Sequence, residues 1–68
     1  MTALDARGLS CPEPVVMISQ AMASNANAYD IIVDNPTARE NVSRFAAHKG
    51  CKVAVDEKDG EYTLHITK

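Results

Sequence analysis

Apolar residues recur along this chain with two different periods, and the alternation of those periods lays out its elements. Val15, Ile18, Ala21 and Met22 fall at helical spacing and form one apolar face. Ser10 stands three residues before Glu13, as in a capping box, and Pro12 suits a first helical position because its missing N–H would have had no helical partner. Pro14 is compatible only with that same first turn. The spacing predicts a helix that starts at about Ser10–Pro12 and fades in the polar stretch Ser24-Asn25-Ala26-Asn27. Before it, residues 2–5 give a short strand with little apolar surface, and Arg7-Gly8-Leu9 gives a loop.

Tyr29-Asp30-Ile31-Ile32-Val33-Asp34 is a β-branched run of strand length and predicts an interior strand. Asn35-Pro36-Thr37 breaks it and offers Thr37 as an N-cap. Ala38, Val42, Phe45 and Ala46 then mark a second amphipathic helix, closed by Lys49-Gly50. Cys51, Val53 and Val55 alternate with polar residues, as do Tyr62, Leu64 and Ile66, and Asp59-Gly60 between them is a short-hairpin signal. The order β-α-β-α-β-β predicts an α+β fold, a two-layer sandwich with two helices on one face of a four-stranded mixed sheet. Residues 1–68 read as one domain.

Size limits what such a domain can do. A chain of 68 residues buries a thin core, and with Phe45, Tyr29 and Tyr62 as its only aromatics that core must come from aliphatic side chains. A net charge of −2, with basic residues dispersed among acids, argues against direct nucleic-acid binding, which needs clustered Lys and Arg. Two cysteines forty residues apart make neither a disulfide scaffold nor a C-x-x-C pair, and His48 and His65 are badly spaced for a zinc site. No apolar run reaches transmembrane length and no signal-type hydrophobic region follows Met1, so the expected compartment is a reducing cytoplasm, without membrane association.

The chemistry then concentrates on Cys11. A thiol at the first turn of a helix meets unpaired backbone N–H groups and the positive end of the helix dipole. Both favour the thiolate, and Cys pKa values in such places fall from about 8.5 into the range of roughly 3.5–7.5. The competing reading is a small buried hydrophobe, the common fate of a free Cys. Against it, Cys11 lies at a loop-to-helix junction and off the periodic apolar face, and Pro12 holds Cys11 extended. Gly8 gives the backbone freedom just before it. Glu13 reads as a capping residue although its carboxylate opposes thiolate formation, and Arg7 offers a compensating charge if its loop comes close. Cys51 reads as a core residue, His48 as a complement to the second helix's dipole, and His65 as a solvent-facing strand residue.

The stretch Leu4-Asp5-Ala6-Arg7-Gly8-Leu9-Ser10-Cys11-Pro12-Glu13-Pro14-Val15 resembles the TusA/SirA-like family of small sulfur carriers, whose hallmark is a C-P-x-P motif after such a lead-in. Residues 33–42 and the Phe45-Ala46 to Gly50-Cys51 segment look closer to the YedF branch of that family, linked to selenium metabolism. The resemblance covers nearly the whole chain. It implies a fold similar to the C-terminal domain of translation initiation factor three, and a Cys11 that receives sulfane sulfur as a persulfide and relays it. It implies a cysteine desulfurase or a rhodanese-like protein as donor, an acceptor protein in a sulfur relay such as tRNA thiolation, and no metal or organic cofactor. Ser10, Pro12, Glu13, Pro14, Gly8 and Arg7 would support the thiol. Ala6 stands where some members carry a second Cys. Two other readings compete with the carrier: a binding or regulatory module with a structural Cys11, and a redox sensor in which Cys11 forms a mixed disulfide or pairs with Cys51.

Overall fold

In the computed structural model, which describes residues 2–9, 13–24 and 26–68, six elements follow the expected order. They are β1 (Thr2–Asp5), α1 (Glu13–Met22), β2 (Ala28–Val33), α2 (Pro36–His48), β3 (Lys52–Lys58) and β4 (Glu61–Thr67). The strands form one sheet in the order β1-β2-β4-β3. β1 and β2 run parallel, as a β-α-β crossover requires, while β4 is antiparallel to both β2 and β3.

Period-two patterning decides which face the helices cover. Tyr29, Ile31 and Val33 on β2 and Tyr62, Leu64 and Ile66 on β4 are all buried, and the register sets them side by side as Tyr29–Ile66, Ile31–Leu64 and Val33–Tyr62. Ile18 of α1 and Ala38, Val42 and Ala46 of α2 close over them. Each fully buried aliphatic side chain of this kind stabilises by roughly 1.5–3 kcal/mol, so the core sits over the central pair β2–β4. The opposite face carries Asp30, Ile32, Thr63 and His65, all half-buried.

The sequence expectations hold for the fold class, the element order, the interior position of β2 and the Asp59-Gly60 hairpin. Asp59 and Gly60 both have positive φ, at 53° and 78°, the combination a tight hairpin needs. Two details differ. The N-cap of α2 is Asn35, not Thr37: its backbone is extended and its side-chain oxygen accepts from the Ala38 amide at 2.7 Å. Pro36 then takes the first helical position, where it gives up no hydrogen bond.

The start expected for α1 falls at the limit of the described residues. Its helical residues run from Glu13 to Met22, with Pro14 buried in the first turn, while Ser10, Cys11 and Pro12 lie outside the described residues. The expected capping box of Ser10 with Glu13 lies outside them too. At the other end, Ser24 donates from both its amide and its hydroxyl to the Ala21 carbonyl and stops the helix.

The second difference is β3. It is an edge strand beyond the full cover of the helices, so Val53, like Cys51, is only half-buried against the core and Val55 is exposed instead of joining them. Cys51 precedes the strand and is half-buried with a free thiol.

Candidate functional site

Because β1 and β2 are parallel and each leads into a helix, α1 and α2 both begin at the same edge of the sandwich. The loop from β1 to α1 is tied down there. Ala6 is fully buried and its amide extends the parallel ladder to the Ile32 carbonyl at 2.8 Å. Gly8 takes a left-handed φ of 78°, a conformation that strains any residue with a Cβ. Its amide donates to Asp34 Oδ2 at 2.8 Å, across from the loop that caps α2. Leu9 packs half-buried against the core. Leu9 and Glu13 are therefore the described flanks of Cys11, and both belong to this edge.

Arg7 anchors the same loop to the sheet. Its guanidinium forks onto Asp5, with Nε to Oδ1 at 2.9 Å and Nη2 to Oδ2 at 2.7 Å, and its Nη1 reaches Glu61 Oε2 on β4 at 3.2 Å. The hydrogen bonds from Arg7 hold the Asp5 carboxyl down at about 2, and Asp5, then Glu61, push the guanidinium further above its ordinary range. All three groups are solvent-exposed, so the cluster fixes geometry more than it adds stability. Arg7 thus faces two carboxylates, and much of the charge it could lend to a neighbouring thiolate is already matched.

Around the α2 entrance, Asp34 also accepts from the Asn35 side-chain amide at 3.4 Å. Arg39 lies over the Tyr62 ring, 4.9 Å from its centroid, in a cation–π contact. The structure brings Arg7, Gly8 and the Asn35–Arg39 turn to one edge with the flanks of Cys11. Ser10, Cys11 and Pro12 themselves lie outside the described residues, Glu13 is exposed, and Pro14 is a buried part of the helix.

Sequence reasoning missed the Asp34–Gly8 contact, because Asp34 reads locally as part of a turn and nothing in the pattern points to a partner in the first loop. It also missed His65. The solvent side of the sheet was read correctly, but His65 bridges two strands: Nδ1 lies 2.8 Å from Asp30 Oδ1 and Nε2 lies 2.9 Å from Asp56 Oδ2. Both ring nitrogens donate when the ring is an imidazolium, and the two carboxylates, Asp30 first, raise its pKa above the ordinary 6.5. Alternation puts all three residues on one face, but the β2–β4 pairing that brings them together is not legible from period alone.

At the opposite edge α2 ends in a Schellman turn, with the Gly50 amide on Ala47 O and the Cys51 amide on Ala46 O, both at 3.0 Å. Cys51 packs there against the core, away from the loop that leads to Cys11. Among the described residues no cluster of three or more His, Cys, Asp or Glu is placed to hold a metal ion. None of the described helices is long and apolar enough to cross a membrane.

The sequence and the fold both have known counterparts. The model of the family described as "Sulfurtransferase TusA" matches residues 2–68. The sulfur carrier protein TusA of Pseudomonas putida strain F1 is 33% identical over 68 residues, covering 96% of this chain and 85% of the relative. That of Pseudomonas aeruginosa strain LESB58 is 34% identical, covering 96% and 86%. Among solved structures, a SirA-like protein from Desulfitobacterium hafniense superposes with a TM-score of 0.93 at 31% identity, covering 98% of this chain and 96% of that one. A family match over nearly the whole length, joined to this sandwich with both helix starts at the edge that holds the flanks of a Cys-Pro-Glu-Pro segment, places the chain in the TusA family.

Proposed function

We propose that this protein is a sulfur carrier that holds sulfane sulfur as a persulfide on Cys11 and hands it to an acceptor protein. The observation that carries the reading is the sequence Cys11-Pro12-Glu13-Pro14 leading directly into α1 in a member of the TusA family. Its relatives from Pseudomonas carry the name sulfur carrier protein. The Cys11 thiolate attacks the terminal sulfur of a donor persulfide. The donor's S–S bond breaks, its thiolate leaves, and the Cys11 sulfur gains that one sulfur atom to become a persulfide, S–SH. An acceptor thiolate then attacks that terminal sulfur and regenerates the Cys11 thiolate. Each step is a thiol exchange with no net oxidation, and its rate follows thiolate fraction, nucleophilicity and access.

Cysteine desulfurases and rhodanese-like proteins are the donors this chemistry calls for, and the acceptor is a protein thiol in a sulfur relay. Such a thiolate persists in a reducing compartment, which favours the cytoplasm. Pro14 is buried in the first turn of α1 and Gly8 and Arg7 fix the loop before the motif, and we assign Ser10, Pro12 and Glu13 to the support of the thiol as well. The test is intact mass after mixing the reduced protein with a cysteine desulfurase and cysteine. A reductant-sensitive gain of one sulfur atom on the native chain and on Cys51→Ser, absent from Cys11→Ser, supports the carrier. No adduct on a thiol that alkylates freely, or an adduct that survives in Cys11→Ser, overturns it.

A further inference from the structure

A groove of about 530 Å³ opens at the edge of the sandwich where α1 and α2 end. Met22 and Ala23 from the end of α1, Phe45 from α2 and Cys51 give it a mainly apolar floor, and Lys49 and Lys68 supply its cations. No Asp or Glu side chain lines it among the described residues. Lys49 Nζ lies 5.6 Å from the Phe45 ring centroid, and the Lys68 backbone amide donates to the Asn27 carbonyl at 3.2 Å, which fixes the main chain that carries the second lysine.

This charge runs against the rest of the molecule. The chain is net acidic, at −2, yet residues 41–55 hold Arg44, His48, Lys49 and Lys52 and no acid. The acids Asp5, Asp34, Asp59 and Glu61 belong instead to the other end, at the β1 and β2 exits and the β3–β4 turn. A helix C-terminus would ordinarily offset nearby cations, but the last carbonyls of α2 are taken by the amides of Lys49, Gly50 and Cys51. The lysines therefore set the potential of the groove.

We infer that this groove docks a short acidic polypeptide segment, seating apolar side chains on Met22, Phe45 and Cys51 between carboxylates that meet Lys49 and Lys68. Its volume exceeds one side chain and lies in the range of ordinary binding clefts, roughly 300–1,000 Å³. The apolar floor selects a peptide over a nucleic-acid backbone, which would need cations where Met22 and Phe45 stand. The surface is separate from the edge holding the flanks of Cys11, and the inference does not depend on sulfur transfer.

The test is a titration of the isotope-labelled protein, followed through its amide signals. The probe is a synthetic peptide with a leucine-phenylalanine centre flanked by glutamates, and the control carries lysines in their place. Saturable shifts confined to the groove, weakened by salt and absent with the control, are expected. Lys49→Glu and Lys68→Glu, both surface changes checked for folding by circular dichroism, should each weaken the peptide about fivefold or more. Equal binding of the lysine control, shifts centred elsewhere, unchanged affinity in both variants or no saturable shift would overturn the inference. So would concentration-dependent groove shifts without peptide, which would identify a second copy of the chain as the occupant.

Discussion

The Gly8 amide and the Asp34 carboxylate, 26 residues apart, meet at 2.8 Å and join the loop before Cys11 to the entrance of α2. The contact makes one unit of two segments that would otherwise move separately. Asp34→Ala removes the acceptor from an exposed hydrogen bond, so its stability cost is small, about 1 kcal/mol. For a domain this size that lowers the unfolding temperature by about 4–8 °C. The rate of Cys11 alkylation should change as well, and Asp34→Asn should restore part of both effects. If melting temperature and alkylation rate both stay at native values, the contact does not hold the loop.

Asn35 caps α2 through the Ala38 amide. Asn35→Ala should therefore destabilise by about 0.5–2 kcal/mol, and Asn35→Asp or Asn35→Ser should avoid most of that loss. Thr37→Ala, inside the first turn, should stay within about 0.5 kcal/mol of the native protein. Urea unfolding of the four variants checks the assignment, and a larger loss at Thr37 than at Asn35 would contradict it.

His65 makes stability depend on pH. Asp30 and Asp56 favour its protonated form in the fold, raising its pKa above 6.5. The stabilisation is thus complete below about 6.5, the unfolded value, and is lost as pH rises through the raised folded value. A neutral ring donates from only one nitrogen, so one of the two carboxylate contacts weakens on deprotonation. The stability advantage over His65→Ala should shrink over that window. Direct titration of the His65 ring signals would contradict this if its midpoint fell at or below 6.5.

The Tyr29 hydroxyl is buried with no hydrogen-bond partner among the described residues. An unsatisfied buried polar group costs about 1–3 kcal/mol. Tyr29→Phe keeps the ring that packs beside Ile66 and removes that cost, so it should raise stability by about 1 kcal/mol. A fall of similar size in thermal unfolding would mean the hydroxyl is satisfied after all.

What could be read from the sequence and what could not divide along physical lines. Period-two and helical spacing are local, so Leu64, Ile66, Ile18 and Val42 were assigned to apolar faces correctly, and the β-branched run marked Ile31 and Val33 as part of an interior strand. The hairpin was legible because Asp59-Gly60 encodes its own turn. Val55 was misplaced because alternation says which face a residue points to, not whether the strand lies at an edge, while Cys51 does pack against the core although only half-buried. Thr37 was preferred as the cap over Asn35, although Pro36 in the first helical position points to the residue before it. The contacts of Asp34 with Gly8 and of His65 with Asp30 were invisible because each depends on strand pairing between distant segments. At the candidate site the thiol and its prolines were legible as a motif, while the clamps of Arg7 and Asp34 on the preceding loop required the assembled sheet.

The order β1-β2-β4-β3 has a consequence for how the protein is made. Its last strand, Glu61–Thr67, lies inside the sheet and is the only link between β2 and β3. As a nascent chain grows, β1, α1 and β2 can associate early, but β2 is left with an unpaired interior edge and β3 with nothing to pair against. Such an edge invites association with other chains. Half of the strand contribution to the core, Tyr62, Leu64 and Ile66, arrives only with β4. Completion of the sheet is thus deferred until β4 has been synthesised, and premature termination anywhere before Glu61 leaves an open, aggregation-prone sheet instead of a smaller working protein.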